Sequence, residues 1–386
     1  MTAHYDVAVV GGGIVGLAHA WMATLRGLRV VLLERTADAR GASIRNFGMV
    51  WPIGQPPGAL YDLALRSRAR WLELQRRQVL DVESCGSIHL AYRADELAVL
   101  REFCDADDVP DGVEMIGPVE VLRRSNLVNP DGLLGGMYSS VELRVDPRTA
   151  SARIASWLAT EQGVDVRFST PIMRVDGRRL TDSGGRQWTA DRIIICSGSD
   201  LKTLYPGVLA RSGLHLCKLQ MLRAAAQSDR RSISPHLASG LTLRHYASFR
   251  NCPSHETLCR RIAAETPELD RYGIHVMASQ AADGEVILGD SHEYDEAITP
   301  FDKAEIDELI LRELRGLLRL ENWTITQRWH GVYAKHPERP IFEQQVDDGV
   351  SVFVGPGGAG MTLAFGLAER AWQQWQPQDD SQHATA

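Results

Sequence analysis

The chain has 386 residues, 44% hydrophobic and 24% charged, with a formal net charge of −7. This suits two domains or one large domain with an insert, and it argues against a general attraction to nucleic acid. No apolar run is long enough to span a bilayer, and the N-terminus lacks the basic and apolar regions of a secretory signal. The six cysteines form no CxxC pair, so reduced thiols and a cytoplasmic setting are expected. No His/Cys cluster has zinc spacing, and no metal is expected.

The first elements are the most informative. Residues 7–10 are an apolar, β-branched run that predicts a buried parallel strand. Gly11, Gly13 and Gly16 follow at G-x-G-x-x-G spacing. Such glycines permit a tight turn, a close backbone approach to pyrophosphate, and close packing of the next helix. The spacing of Ile14, Leu17, Trp21 and Leu25 predicts that helix over 14–26. A second apolar strand over 29–33 ends on Glu34, placed to accept ribose hydroxyls. Strand, glycine turn, helix, strand and acid together point to a dinucleotide and disfavour a 2′-phosphate.

Residues 35–54 read as a loop of small and turn residues. A long helix is predicted over 59–80, with Leu63, Ala64, Trp71, Leu74 and Leu80 buried and the arginines of 66–77 on its wet face. A strand over 85–92 and helices over 96–105 and 119–124 follow. Residues 133–145 hold glycine turns and short strands, and Pro147 opens a helix over 147–160. Strands are expected at 164–168, 172–175 and 191–196, the last ending near Gly198 and free to return to the first sheet. From 214 the texture changes: strands at 241–243, 245–249, 275–279 and 286–288, then an amphipathic helix over 302–320. Strands at 324–333 and 351–354 flank an expected loop over 334–344, and an apolar helix over 361–375 closes the chain. The polar residues 377–386 are expected to be a disordered tail.

Gly355 to Thr362, GPGGAGMT, repeats the strand, glycine loop, helix plan. Its amides and helix N-terminus suit the negative charge that develops on a reduced flavin, and a nicotinamide cofactor does not need this second site.

These pieces, with SIRNFGM, the TPI of 170–172, IIICSG and RWHGVY, resemble the FAD-dependent amine and amino-acid oxidases that include glycine, sarcosine and D-amino-acid oxidases. The resemblance implies an α/β fold with a Rossmann-type FAD-binding domain and a mixed-sheet α+β substrate domain inserted. The FAD half is expected at 1–80, 140–213 and 324–376, and the substrate half at 81–139 and 214–323. By the same resemblance Gly11, Gly13, Gly16 and Glu34 hold the ADP part, with Ile14, Val15 and Arg35 beside them and Ser43 by the phosphates. Arg45, Asn46, Phe47, Gly48 and Met49 pass the isoalloxazine ring, and Ile172 meets adenine. Ser197 and Gly198 lie below the phosphates, and Gly331 lies on a strand along the flavin. Gly355, Gly358, Gly360, Met361 and Thr362 meet the pyrimidine edge.

Three departures matter. Tyr333 stands where relatives that bind carboxylates have an arginine in W-x-G-x-R. Thr362 stands where sarcosine oxidases have a lysine, and Gly331 stands where they attach flavin through cysteine, so the FAD is expected to be non-covalent. The segment SIRNFGMVWPIGQPPG further resembles a branch linked to aminoalkylphosphonate catabolism. Arg45, His245, Tyr246 and Tyr333 are the candidates for the substrate anion; Lys335 and His336 read as solvated, and Gln280 is a weaker candidate. The activity so implied is oxidation of a small amine by hydride transfer to flavin N5. Oxygen or another electron acceptor takes the electrons, and the substrate is an aminoalkylphosphonate such as 2-aminoethylphosphonate. A glycine- or sarcosine-like amino-acid oxidase, a hydroxy-acid oxidoreductase and a non-catalytic flavin-binding subunit are the alternatives.

Overall fold

The computed structural model describes residues 3–228 and 233–375, so the expected tail at 377–386 lies outside the described residues. β1 (Ala3–Val10), α1 (Ile14–Thr24) and β2 (Val30–Leu33) form the expected βαβ unit. β1 pairs in parallel with β2 on one side and with the strand Gln187–Ile195 on the other. Asp165–Arg167 extends the parallel sheet beyond β2, and Val350–Val354 extends it beyond Gln187–Ile195. Both faces of this strand are covered, Val30 and Leu32 packing into one core cluster and Val31 and Leu33 into another, which explains why Val30–Leu33 is apolar throughout. The chain leaves β1 toward one side and later returns beside it on the other. This reversal opens a crevice at the carboxyl ends of the strands.

α1 and the C-terminal helix Gly360–Gln374 lie against the sheet, with Trp21 edge-on to Phe365 at 5.4 Å between centroids. α2 (Ala59–Arg76) packs beside them so closely that a Cβ on Gly366 would lie 2.1 Å from the Leu63 carbonyl oxygen. α2 stops short of its predicted end because Gln78 turns the chain at φ 59°, yet Leu80 is still buried.

A second sheet of nine strands is mostly antiparallel. Its spine is His215–Ala224, which pairs with Ile325–Lys335 from end to end. Ile325–Lys335 therefore belongs to this sheet, although it falls in a segment expected in the cofactor half. The helix Ala304–Leu317 buries Ile306, Leu309, Ile310 and Leu314 beside the sheet.

Two expectations fail for local reasons. Residues 241–249 are not strands: Gly240–Arg244 and Ala247–Phe249 are 3₁₀ turns, and His245 and Tyr246 lie between them. Leu241 and Leu243 alternate as in a strand. However, the Ser239 carbonyl accepts from Thr242 N and, at 2.6 Å, from Thr242 Oγ1, which closes a turn instead. The expected loop over 334–344 contains the start of the strand Phe342–Asp347, an edge strand on Val350–Val354 whose outward residues are polar.

Candidate active site

The crevice is a cavity of about 920 Å³, lined by both glycine loops and by the second sheet. At the first loop the glycines are sterically required. Gly11 has φ 110°, and a Cβ there would sit 2.2 Å from the Cys196 carbonyl oxygen; one on Gly16 would sit 1.9 Å from that of Gly11. Glu34 ends β2 with its carboxylate fixed: Oε2 accepts from Gly12 N at 2.7 Å, and Oε1 accepts from Thr36 N at 3.0 Å and Thr36 Oγ1 at 2.6 Å. Ser43 Oγ accepts from Ile14 N at 2.9 Å, which ties the next loop to the N-terminus of α1. Arg35 is paired with Asp200 at the rim.

The segment 42–49 crosses the cavity. Asn46 holds its turn, donating to the Ala42 and Ser43 carbonyls and accepting from Gly48 N at 2.8 Å. Gly48 does not line the cavity; a Cβ there would meet the Val145 carbonyl oxygen at 2.1 Å. Gly331 lets this segment lie close, because its Cβ position is 3.2 Å from the Arg45 carbonyl oxygen. Arg45 Nη1 donates to the His330 carbonyl at 3.3 Å and has no carboxylate partner among the described residues.

At the second loop Gly355, Gly358 and Gly360 line the cavity with Met361 and Thr362. Thr362 faces Trp51: its hydroxyl accepts from Trp51 N at 2.9 Å, with both residues buried. It therefore satisfies a buried amide that a lysine could not, since an ammonium has no lone pair.

The opposite wall is polar. Tyr333 is buried, and burial drives its phenol well above the ordinary value, so it is a hydroxyl donor. Three imidazoles lie together. Ring centroids of His245 and His275 are 4.0 Å apart, His245 and His292 4.4 Å, and His275 and His292 4.9 Å. The backbones of His275 and Asp290 exchange hydrogen bonds of 3.2 and 2.9 Å, which sets their side chains side by side. Burial lowers His245 and His275 well below the ordinary imidazole value, takes His292 to about 4 and raises the Asp290 carboxyl.

Of the residues singled out from sequence, all four anion candidates and every cofactor candidate except Gly48 line this one cavity. Gln280 does not: its amide holds a turn, accepting from Ile233 N at 2.7 Å and donating to the Gly284 carbonyl. Lys335, read as solvated, lines the cavity, and burial lowers its ammonium. Sequence reasoning missed Trp51, His275, Asp290 and His292. They come from separate segments, and no local spacing links them.

A parallel sheet with a glycine-cradled crevice and a carboxylate ending β2 defines a dinucleotide-binding protein. The second glycine loop, whose helix starts beside the same cavity, narrows this to flavin enzymes. A family profile described as FAD dependent oxidoreductase matches residues 6–373, and the chain belongs to that family. It is an FAD-dependent enzyme. The monomeric sarcosine oxidase of Streptomyces avermitilis is 30% identical over 207 residues, covering 52% of this chain and 53% of that protein. The chain thus spans about half the length of the curated relatives it matches. A glycine oxidase structure from Geobacillus kaustophilus superposes with a TM-score of 0.76 at 20% identity, covering 98% of this chain and 96% of that one. An L-α-glycerophosphate oxidase from Mycoplasma pneumoniae with FAD bound gives 0.72 at 16% identity, covering 97% and 96%. No described helix is long and apolar enough to cross a membrane.

Proposed function

We propose that this chain oxidises the C–H bond beside the nitrogen of a small primary or secondary amine that carries a phosphonate, such as 2-aminoethylphosphonate or its N-methyl form. The observation that carries the reading is Tyr333. It is buried in the cavity wall where carboxylate-binding relatives are expected to have an arginine. A planar carboxylate is best held by a bidentate arginine fork, whereas a tetrahedral phosphonate suits several dispersed donors. Arg45, His245, Tyr246 and Tyr333 are such donors around one cavity.

Glu34 and the first glycine loop would hold the ADP part of FAD, and the amides of 358–362 its pyrimidine edge. The cradle fits, because side chains at Gly11 and Gly16 would meet backbone oxygens. When bound, FAD supplies the two-electron acceptor at N5. The protein's part is to seat the anion, direct the amine into the crevice and keep the amine neutral. The loss of hydride equivalents leaves an imine, which water hydrolyses to an aldehyde and a free amine. Oxygen or another acceptor then takes the electrons.

The test is anaerobic reduction of enzyme-bound flavin by matched amines bearing phosphonate, carboxylate or no acid. The phosphonate amine should bleach the flavin with the highest kcat/KM. Preference for the carboxylate, as in a glycine- or sarcosine-type oxidase, refutes the substrate. Bleaching by none of them refutes amine oxidation.

A further inference from the structure

We infer that His245, His275 and His292, backed by Asp290, form the seat of the substrate's tetrahedral oxyanion. This assignment rests on the aminophosphonate reading above. The three imidazoles converge from different places: the 3₁₀ turn after Gly240–Arg244, the approach to Met277–Gln280 and the exit from Val286–Gly289. One ring nitrogen from each lies within 4.8 Å of the others, and all three side chains line the cavity. They also carry unused hydrogen-bonding capacity. His275 is 3% exposed; its Nδ1 has no hydrogen-bond partner among the described residues, and its Nε2 faces Asp290 Oδ1 at 3.4 Å without making a hydrogen bond. Buried polar atoms of this kind call for a ligand.

The surroundings decide the ligand's sign. Three imidazoles and a carboxylate are also a ligand set for a divalent metal. However, Lys335 lines the same cavity with no carboxylate partner among the described residues, and after burial its charge is a further cause that disfavours the protonated form of all three histidines. Among the described residues Asp290 is the one acid in the cluster, and Asp270 and Arg244 are taken up by each other at 3.0 Å. A positive field repels a metal ion and attracts an anion.

Burial disfavours charge on Asp290 and on the imidazoles alike. Asp290 lies 3.4 Å from His275 Nε2 and 3.9 Å from His292 Nε2. An arriving dianion favours an imidazolium facing it, with Asp290 behind the ring.

The test uses FAD-loaded wild-type enzyme and two unreactive probes, methylphosphonate and acetate, followed by the perturbation of the flavin spectrum. Methylphosphonate should bind at least about tenfold more tightly than acetate. H275Q and H292N should each lose about tenfold or more of that affinity. Their KM for 2-aminoethylphosphonate should rise about tenfold or more beyond any rise in KM for propylamine, at wild-type FAD content. Equal binding of the two probes, or no methylphosphonate binding, overturns the assignment on wild-type protein alone. So does one equivalent of zinc held by the wild-type holoenzyme and lost in H275Q. If methylphosphonate binds through the histidines but no aminophosphonate is oxidised, the seat stands and the substrate reading fails. If the aminophosphonate is oxidised and both variants bind methylphosphonate like wild type, the seat fails and the substrate reading stands.

Discussion

Thr362→Val is the sharpest test of how the second glycine loop is held. Valine keeps the shape of threonine but removes the hydroxyl that accepts from Trp51 N at 2.9 Å. Trp51 is 4% exposed and Thr362 3%, so water cannot replace the lost partner without rearrangement. A buried donor left unsatisfied costs about 1–3 kcal/mol. With unfolding entropy of about 2.1 cal/mol/K per residue, a chain of 386 residues carries about 0.8 kcal/mol/K. The Tm of the FAD-loaded enzyme should therefore fall by about 1–4 °C, measured by calorimetry. Thr362→Ser keeps the acceptor and should recover most of the loss. Function should follow, because the Trp51 ring lines the cavity and stands 6.2 Å from that of Tyr246. A loosened Trp51 should raise KM for the amine in Thr362→Val and less in Thr362→Ser. If Thr362→Val melts like wild type, or Thr362→Ser is as destabilised as Thr362→Val, the hydroxyl does not support Trp51 and the reasoning is wrong. Thr362→Lys should destabilise more than either, because it buries an ammonium as well as losing the acceptor.

Acid precipitation should release FAD into the supernatant, since Cys196 is the only cysteine that lines the cavity and burial keeps its thiol protonated; flavin retained in the pellet would refute non-covalent binding. Gly16→Ala should abolish FAD retention on a desalting column, because its methyl would sit 1.9 Å from the Gly11 carbonyl oxygen, and full retention would show that the turn can yield. His19 is fully buried against Phe353, and burial alone takes it to about 3, whereas an unfolded imidazole titrates near 6.5. Below pH 6.5 only the unfolded state takes up that proton, so stability is lost as pH falls. Relative to wild type, His19→Phe should gain roughly 2 kcal/mol on going from pH 7.5 to pH 5 in urea titrations, and a pH-independent difference would refute the burial argument.

The cofactor side of the cavity was legible because its residues act through the backbone and close to one another in sequence. Gly11, Gly13 and Gly16 are dictated by a turn that tolerates no Cβ, and Glu34 follows at the end of the very next strand. The same logic applied at Gly355 to Thr362. It failed at Gly48, where positive φ and contact with Val145 explain the glycine without the cavity. The second sheet was less legible. Its strands are joined across long separations, and the apolar alternation at Leu241 and Leu243 is produced by a 3₁₀ turn as readily as by a strand.

The anion side was the hardest to read, because a binding wall made of side chains has no fixed spacing. An arginine on W-x-G-x-R announces itself within one strand, and its absence at Tyr333 was visible. What compensates was not visible, because His275, Asp290 and His292 become neighbours only when the residues before Met277–Gln280 pair with those after Val286–Gly289. The loss and the gain belong to one arrangement. Tyr333 pairs with Cys217 on the spine strand, and its ring lies 6.5 Å from that of His292. A long arginine at that position would reach toward the imidazoles and crowd them, whereas the compact phenol leaves them room to present their donors. Tyrosine at position 333 and histidines at 245, 275 and 292 are therefore expected to be interdependent. By crowding the imidazoles, Tyr333→Arg should narrow the preference for methylphosphonate over acetate, read by the same two probes, and an unchanged preference would refute the interdependence.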